Sequence, residues 1–130
     1  MSRIAVRWRD LDPLGHVNTA VFLTFLETGR DLWLRDVLGD RFTPADYVVV
    51  RVEVDFRSEV SRGTEYIDSV HEVEAVGTSS ITLVERLADP SGAITTEART
   101  VIVLFDPERH RTRPVTDGER EALLGVPISP

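Results

Sequence analysis

The sequence predicts an α+β protein in which an antiparallel sheet of about five strands wraps one long central helix. Three observations carry this. A helical pattern runs from residue 19 to 38, four strand-like stretches follow it one after another, and a compact polar segment, Asp10-Leu-Asp-Pro-Leu-Gly-His-Val-Asn18, leads straight into the helix. A lone long helix and a run of consecutive strands bury their apolar surfaces most economically by curling the sheet over the helix.

Taken in order, residues 3 to 9 alternate as a short strand, and residues 10 to 17 form a loop punctuated by Pro13 and Gly15. Asn18 is placed to cap the helix over 19–38, which stops before Gly39. Phe22, Leu26, Gly29 and Trp33 fall on one helical stripe, with Phe25 and Leu32 beside it. Glycine inside a helix costs about 1 kcal/mol relative to alanine, so Gly29 points to close approach of another backbone. The clearest strand puts Val48, Val50, Val52, Val54 and Phe56 on one face and Arg51, Glu53, Asp55 and Arg57 on the other. Further strands are expected over 65–76, 80–88 and 94–105, separated by Gly63, Gly77 and the Asp89-Pro-Ser-Gly92 turn. Thr116 with Glu119 reads as a capping box that opens a short helix over 117–124.

Composition narrows the function. The 130 residues are expected to form one domain, 1–130, with an ordinary apolar fraction of 42%. Without cysteine there is no disulfide framework, thiol nucleophile or thiolate metal site. No apolar run near Met1 is long enough for a signal peptide or a membrane span, and the expectation is a cytoplasmic protein. A net charge of −7 argues against nucleic acid as a partner. All 15 basic residues are arginine, which removes Schiff-base chemistry and the phosphate-loop lysine together.

The Asp10–Asn18 segment holds the chemistry. A helix start presents unpaired N–H groups and a partial positive charge. Carboxylates beside it could attack a carbonyl whose oxygen those N–H groups hold, or direct water at it. That is the layout of a small acyl-transfer hydrolase. Asp12 is ionised at neutral pH unless deeply buried, and could act as nucleophile or as general base; as a turn residue before Pro13 it would merely cap the helix. Asp10 either binds substrate or holds the loop, and the second is the favoured reading. The Asp10-x-Asp12 pair also has the form used by haloacid-dehalogenase phosphotransferases, but Trp8-Arg9 replaces the apolar strand that motif needs. His16 is either a packed loop residue or a partner of the carboxylate or carbonyl. No second histidine lies nearby in the chain to build a metal site, and the chemistry requires neither metal nor redox cofactor. Glu27 stands on an apolar helix with Arg30 at i+3; a surface ion pair accounts for it, whereas burial would make it a candidate acid or base.

On these residues the chain resembles the hotdog-fold acyl-CoA thioesterases of the 4-hydroxybenzoyl-CoA and tol-pal-associated type. Their pattern, Asp-x-Asp-x-x-Gly-His-Val-Asn, then an aromatic helix turn and Glu-x-x-Arg, stands here as Asp10, Asp12, Gly15, His16, Val17, Asn18, Phe22, Glu27 and Arg30. Arg57, Gly63-Thr64, Gly77-Thr-Ser-Ser80 and Phe105-Asp106 match its later positions. The sequence departs at Thr19, where many relatives carry a second asparagine, and at Thr64, where an aspartate is usual.

The resemblance implies a hotdog fold and hydrolysis of an acyl-CoA to the free acid and coenzyme A. Asp12 would be the catalytic carboxylate and the Thr19 N–H the donor that polarises the thioester. The site would lie at the interface of a homodimer, alone or within a homotetramer, with coenzyme A crossing between subunits. Asn18 caps the helix or touches substrate. Phe22, Leu26 and Val54 would shape the acyl pocket, Arg57, Arg62 and Arg99 would meet the phosphates, and Ser79 and Ser80 the pantetheine amides. Alternatives are an acyl-ACP thioesterase and a non-catalytic acyl-CoA-binding or regulatory hotdog domain. A hotdog dehydratase fits less well, because Gly15 breaks the Asp-x-Asn-Pro-x-His spacing.

Overall fold

The computed structural model describes residues 1–7, 10, 19–60 and 63–125. In chain order the elements are β1 (Ser2–Ala5), α1 (Thr19–Leu38), a 3-10 turn (Pro44–Asp46), β2 (Tyr47–Phe56), β3 (Tyr66–Val76), β4 (Ser80–Ala88), β5 (Ile94–Asp106), β6 (Arg111–Thr112) and α2 (Asp117–Leu124). All the pairings are antiparallel, in the order β1-β3-β4-β5-β2, with the two-residue β6 paired to the end of β5.

α1 spans 20 residues, about 30 Å at 1.5 Å per residue. It ends where Gly39 turns to φ 103°, a left-handed conformation that only glycine adopts without strain, and the Gly39 N–H reaches the Arg35 carbonyl at 2.9 Å. The buried face of α1 is Phe22, Phe25, Leu26, Arg30 and Leu34; Leu32, expected beside the apolar stripe, is 45% exposed. The inward stripe therefore passes through Leu34, two residues beyond Leu32, with Trp33 partly buried beside it.

Gly29 is the contact point between helix and sheet. A Cβ there would fall 2.1 Å from Ser69 Oγ and 2.7 Å from His71 Nε2, so α1 can rest on β3 only with glycine at this position. A close approach is made here, but to β3 side chains and not to another backbone as the sequence led us to expect.

The inner face of the sheet carries two apolar clusters. Phe22, Phe25, Leu26, Val60, Ile67, Leu87 and Ala98 pack under the first half of α1. Leu34, Phe42, Tyr47, Ile81, Leu83, Ile102 and Leu104 pack under the second half, closed by Val115 and by Leu123 of α2. Each such side chain is worth about 1.5–3 kcal/mol when fully buried. α2 is held by the capping box expected from the sequence: the Glu119 N–H donates to Thr116 Oγ1 at 3.1 Å, and the Thr116 N–H donates to Glu119 Oε1 at 3.0 Å.

In β2 the simple alternation breaks. Its register against β5 shifts between Val49 and Arg51, so Val50 is a bulge residue. Val48 then pairs with Val103 on the outer face, while Val49, opposite the buried Ile102, faces inward with Val52, Val54 and Phe56. The expected single face of Val48, Val50, Val52, Val54 and Phe56 is corrected accordingly. At the other end of the chain β1 stops at Ala5, short of the expected strand over 3–9.

Candidate active site

The site is built from the start of α1 downward. Thr19 is its first residue, and its first turn contains no acidic side chain to offset the partial positive charge of the helix start. Asp12, His16 and Asn18, the sequence's candidates for this point, lie outside the described residues, as does Arg62. Asp10 is described and buried: it accepts from the Arg7 backbone N–H at 2.7 Å and pairs with Arg7 Nη2 at 3.1 Å, the loop-holding role expected of it.

Phe22, Leu26 and Val54 pack together in the apolar cluster under the first half of α1. The Phe22 ring meets Phe25 edge-on at 6.4 Å and Phe56 at 5.8 Å. The helix start therefore adjoins a packed apolar cluster.

Other candidates lie elsewhere. Glu27 is exposed, and the i,i+3 pair with Arg30 does not form, because Arg30 turns into the core. Arg57 is engaged on the outer face with Glu97 at 3.0 Å, and Glu97 also binds Arg86 at 2.9 Å. Arg99, on the same face, pairs with Glu74. Ser79 and Ser80 occupy the β3–β4 turn, where the Leu104 N–H donates to the Ser79 carbonyl. Ile81, next to that turn, packs with Leu34, so the turn lies at the C-terminal end of α1, the far end from Thr19 within one protomer.

Between the two apolar clusters lies a buried polar network that sequence reasoning missed. Arg30 grips Glu85 through two hydrogen bonds, Nε to Oε2 at 2.9 Å and Nη2 to Oε1 at 2.7 Å. Thr100 Oγ1 donates to Oε1 at 2.5 Å, and His71 Nδ1 lies 2.7 Å from Oε2. Burial by itself would raise the Glu85 carboxyl, but the bonds from His71, Arg30 and Thr100 outweigh it and hold the group at about 2. An ionised Glu85 only accepts, which puts the His71 proton on Nδ1 and leaves Nε2 without a partner. Burial and the hydrogen bond to Asp31, at 2.5 Å, push the Tyr47 hydroxyl up. A signal for the network was present: in Ile81-x-Leu83-x-Glu85-x-Leu87, Glu85 sits at core parity. Among the described residues no three His, Asp or Glu side chains are grouped to hold a metal ion.

An antiparallel sheet curled over one helix, with a helix start opening on an apolar cluster, defines a hotdog-fold protein. The chain belongs to the thioesterase-like superfamily, whose family model matches residues 6–123, and it is a thioester hydrolase. Among solved structures it is similar to a Thermus thermophilus thioesterase complexed with coenzyme A and zinc, at 30% identity over 98% of this chain and 95% of that one, TM-score 0.80. A predicted thioesterase from Bacillus stearothermophilus matches at 24% identity, covering 99% and 96% of the two chains, TM-score 0.84. A Staphylococcus aureus protein in complex with CoA shares the fold at 9% identity, covering 99% and 86%, TM-score 0.83. No curated protein matches significantly.

Proposed function

We propose that the protein hydrolyses an acyl-CoA to the free acid and coenzyme A, using Asp12 and the N–H groups that open α1. The observation that carries this is the start of α1, whose first turn from Thr19 holds no acidic side chain and adjoins the apolar cluster of Phe22, Leu26 and Val54. The thioester carbonyl docks there with its acyl chain on the apolar side, and the Thr19 N–H stabilises the oxyanion. Loss of such a donor costs about 10²–10³ in rate. An Asp12 oxygen adds to the carbonyl carbon, and collapse of the tetrahedral adduct breaks the C–S bond. This expels the thiolate and leaves a mixed anhydride, which water cleaves. In the general-base form Asp12 instead takes a proton from water as that water adds. His16 orients the carboxylate or carbonyl, and Asn18 caps the helix beside the substrate. Glu27, exposed in one protomer, takes no part in this scheme. The relative solved with coenzyme A supports the CoA carrier.

The same reading places the site between two copies of the chain. β2 is a sheet edge, and its inward residues Val49, Val52 and Phe56 are 43%, 40% and 46% exposed in one protomer. An edge this long and apolar calls for a covering partner. A two-fold axis beside β2 would bring the Ser79–Ser80 turn of one copy towards the Thr19 end of the other, where those serines meet pantetheine. Arg57 and Arg62 are the proposed contacts to the CoA phosphates.

The test is thiol release from short, long and aromatic acyl-CoAs by wild type and Asp12→Asn. Wild-type turnover that falls by about a hundredfold or more in a folded variant is the expected result. Absence of turnover with retained acyl-CoA binding would instead support an acyl-ACP substrate or a sensor.

A further inference from the structure

Two buried side-chain atoms among the described residues have no hydrogen-bond partner, His71 Nε2 and Thr96 Oγ1. They differ in what surrounds them. His71 Nε2 faces the backbone of α1 at Gly29, where a Cβ would lie only 2.7 Å away, and nothing can enter. Thr96 lies on the inner face of β5 between Leu87 of β4 and Phe56 of β2. In the next row Ala98 and Val54 are apolar, and Glu85, across from Ala98 on β4, has both oxygens engaged by Arg30, His71 and Thr100. Phe56 ends the row at the sheet edge, is half exposed, and touches the Phe22 ring in the first turn of α1. The unpaired hydroxyl is therefore fully buried at the rim of the apolar cluster below the start of α1, directly across from the half-exposed Phe56 at the sheet edge.

A hydroxyl kept buried and unpaired in an apolar cluster is a standing cost that valine, of nearly the same shape, would avoid. It repays a substrate that brings its own oxygen. We infer that Thr96 is a specificity-determining residue whose Oγ1 hydrogen-bonds a hydroxyl or keto oxygen on the acyl chain, so that oxygenated acyl thioesters are preferred over their plain counterparts. The inference rests on the thioesterase reading above. A site built to pair a substrate oxygen discriminates against the analogue lacking it, because its own polar group is then left unpaired.

The experiment compares kcat/KM for matched acyl-CoAs that differ only in one chain hydroxyl or keto group, at several positions, in wild type, Thr96→Val and Thr96→Ser. The expected result is a preference of about tenfold for at least one oxygenated member in wild type. That preference persists in Thr96→Ser, which keeps the hydroxyl, and falls to about one in Thr96→Val, whose melting temperature is no lower than wild type. Wild type favouring no oxygenated member, or Thr96→Val keeping the preference, overturns the inference while plain acyl-CoA turnover leaves the thioesterase reading intact. If no CoA thioester turns over, that reading falls, and the ratio of dissociation constants for the same pairs decides the role of Thr96.

Discussion

Glu85 shows how one residue can set the chemistry of a core. It sits on the inner face of β4, buried, and three side chains converge on its two oxygens. Removing one partner of a buried ion pair costs about 3–5 kcal/mol, because the remaining charge is left uncompensated. Glu85→Gln is accordingly expected to lower stability by about that amount in urea denaturation, leaving Arg30 buried beside a neutral amide. The same carboxylate makes stability depend on pH. Its folded value is held at about 2, below the unfolded value of 4.5, so the unfolded chain binds the extra proton first as acid is added. Its contribution is complete above about pH 4.5 and is lost as pH falls towards 2. A melting-temperature series across that range is expected to fall in wild type and to be flatter in Glu85→Gln. In the sequence Glu85 is visible as a charged residue at core parity, but its partners are 55, 15 and 14 residues away and no spacing announces them.

At the scale of elements, the seating of α1 on β3 turns on Gly29. Alanine is the better helix former by about 1 kcal/mol, yet its Cβ would overlap Ser69 and His71, and overpacking costs about 1–3 kcal/mol. Gly29→Ala is therefore expected to destabilise the protein in thermal or urea unfolding, despite its higher helix propensity. The elements themselves were legible wherever local rules govern them. α1 spans the expected 19–38, the capping box opens α2 at Asp117, and the turn at Asp89–Gly92 closes through the Asp89 side chain, which accepts from the Ser91 and Ala93 N–H groups. The faces of β2 were not legible. A bulge at Val50 is a property of the pairing with β5, and it moved Val48 to the outer face.

For the whole molecule the decisive feature is the half-exposed apolar face of the edge strand β2. Within a protomer α1 lies over β1, β3 and β4, and the inner face of β2 keeps Val49, Val52 and Phe56 half exposed. Val52→Lys places a charge on that face without disturbing a residue buried in the protomer. The proposed dimer is expected to dissociate to monomers in sedimentation, with loss of thioesterase activity and an unchanged circular dichroism spectrum. A stable, fully active monomer in wild type would contradict an interface site. The outer face gives no comparable reason to associate. Its arginines are already engaged by carboxylates, in the Arg57–Glu97–Arg86–Glu72 run and in the Arg99–Glu74 pair, and exposed pairs of this kind contribute about 0–1 kcal/mol each.

The sequence by itself determined the order of elements, the caps and turns, the close approach at Gly29, and the family, because each is written in residues near one another in the chain. Only the tertiary structure decided that Arg30 serves Glu85 and not Glu27, that Val48 faces outward, that Ser79 and Ser80 lie at the far end of α1 from Thr19, and that Thr96 is buried without a partner. Each of these depends on strand register, or on which distant side chain arrives in the core. Register is set by the packing of the whole sheet, so no local pattern contains it.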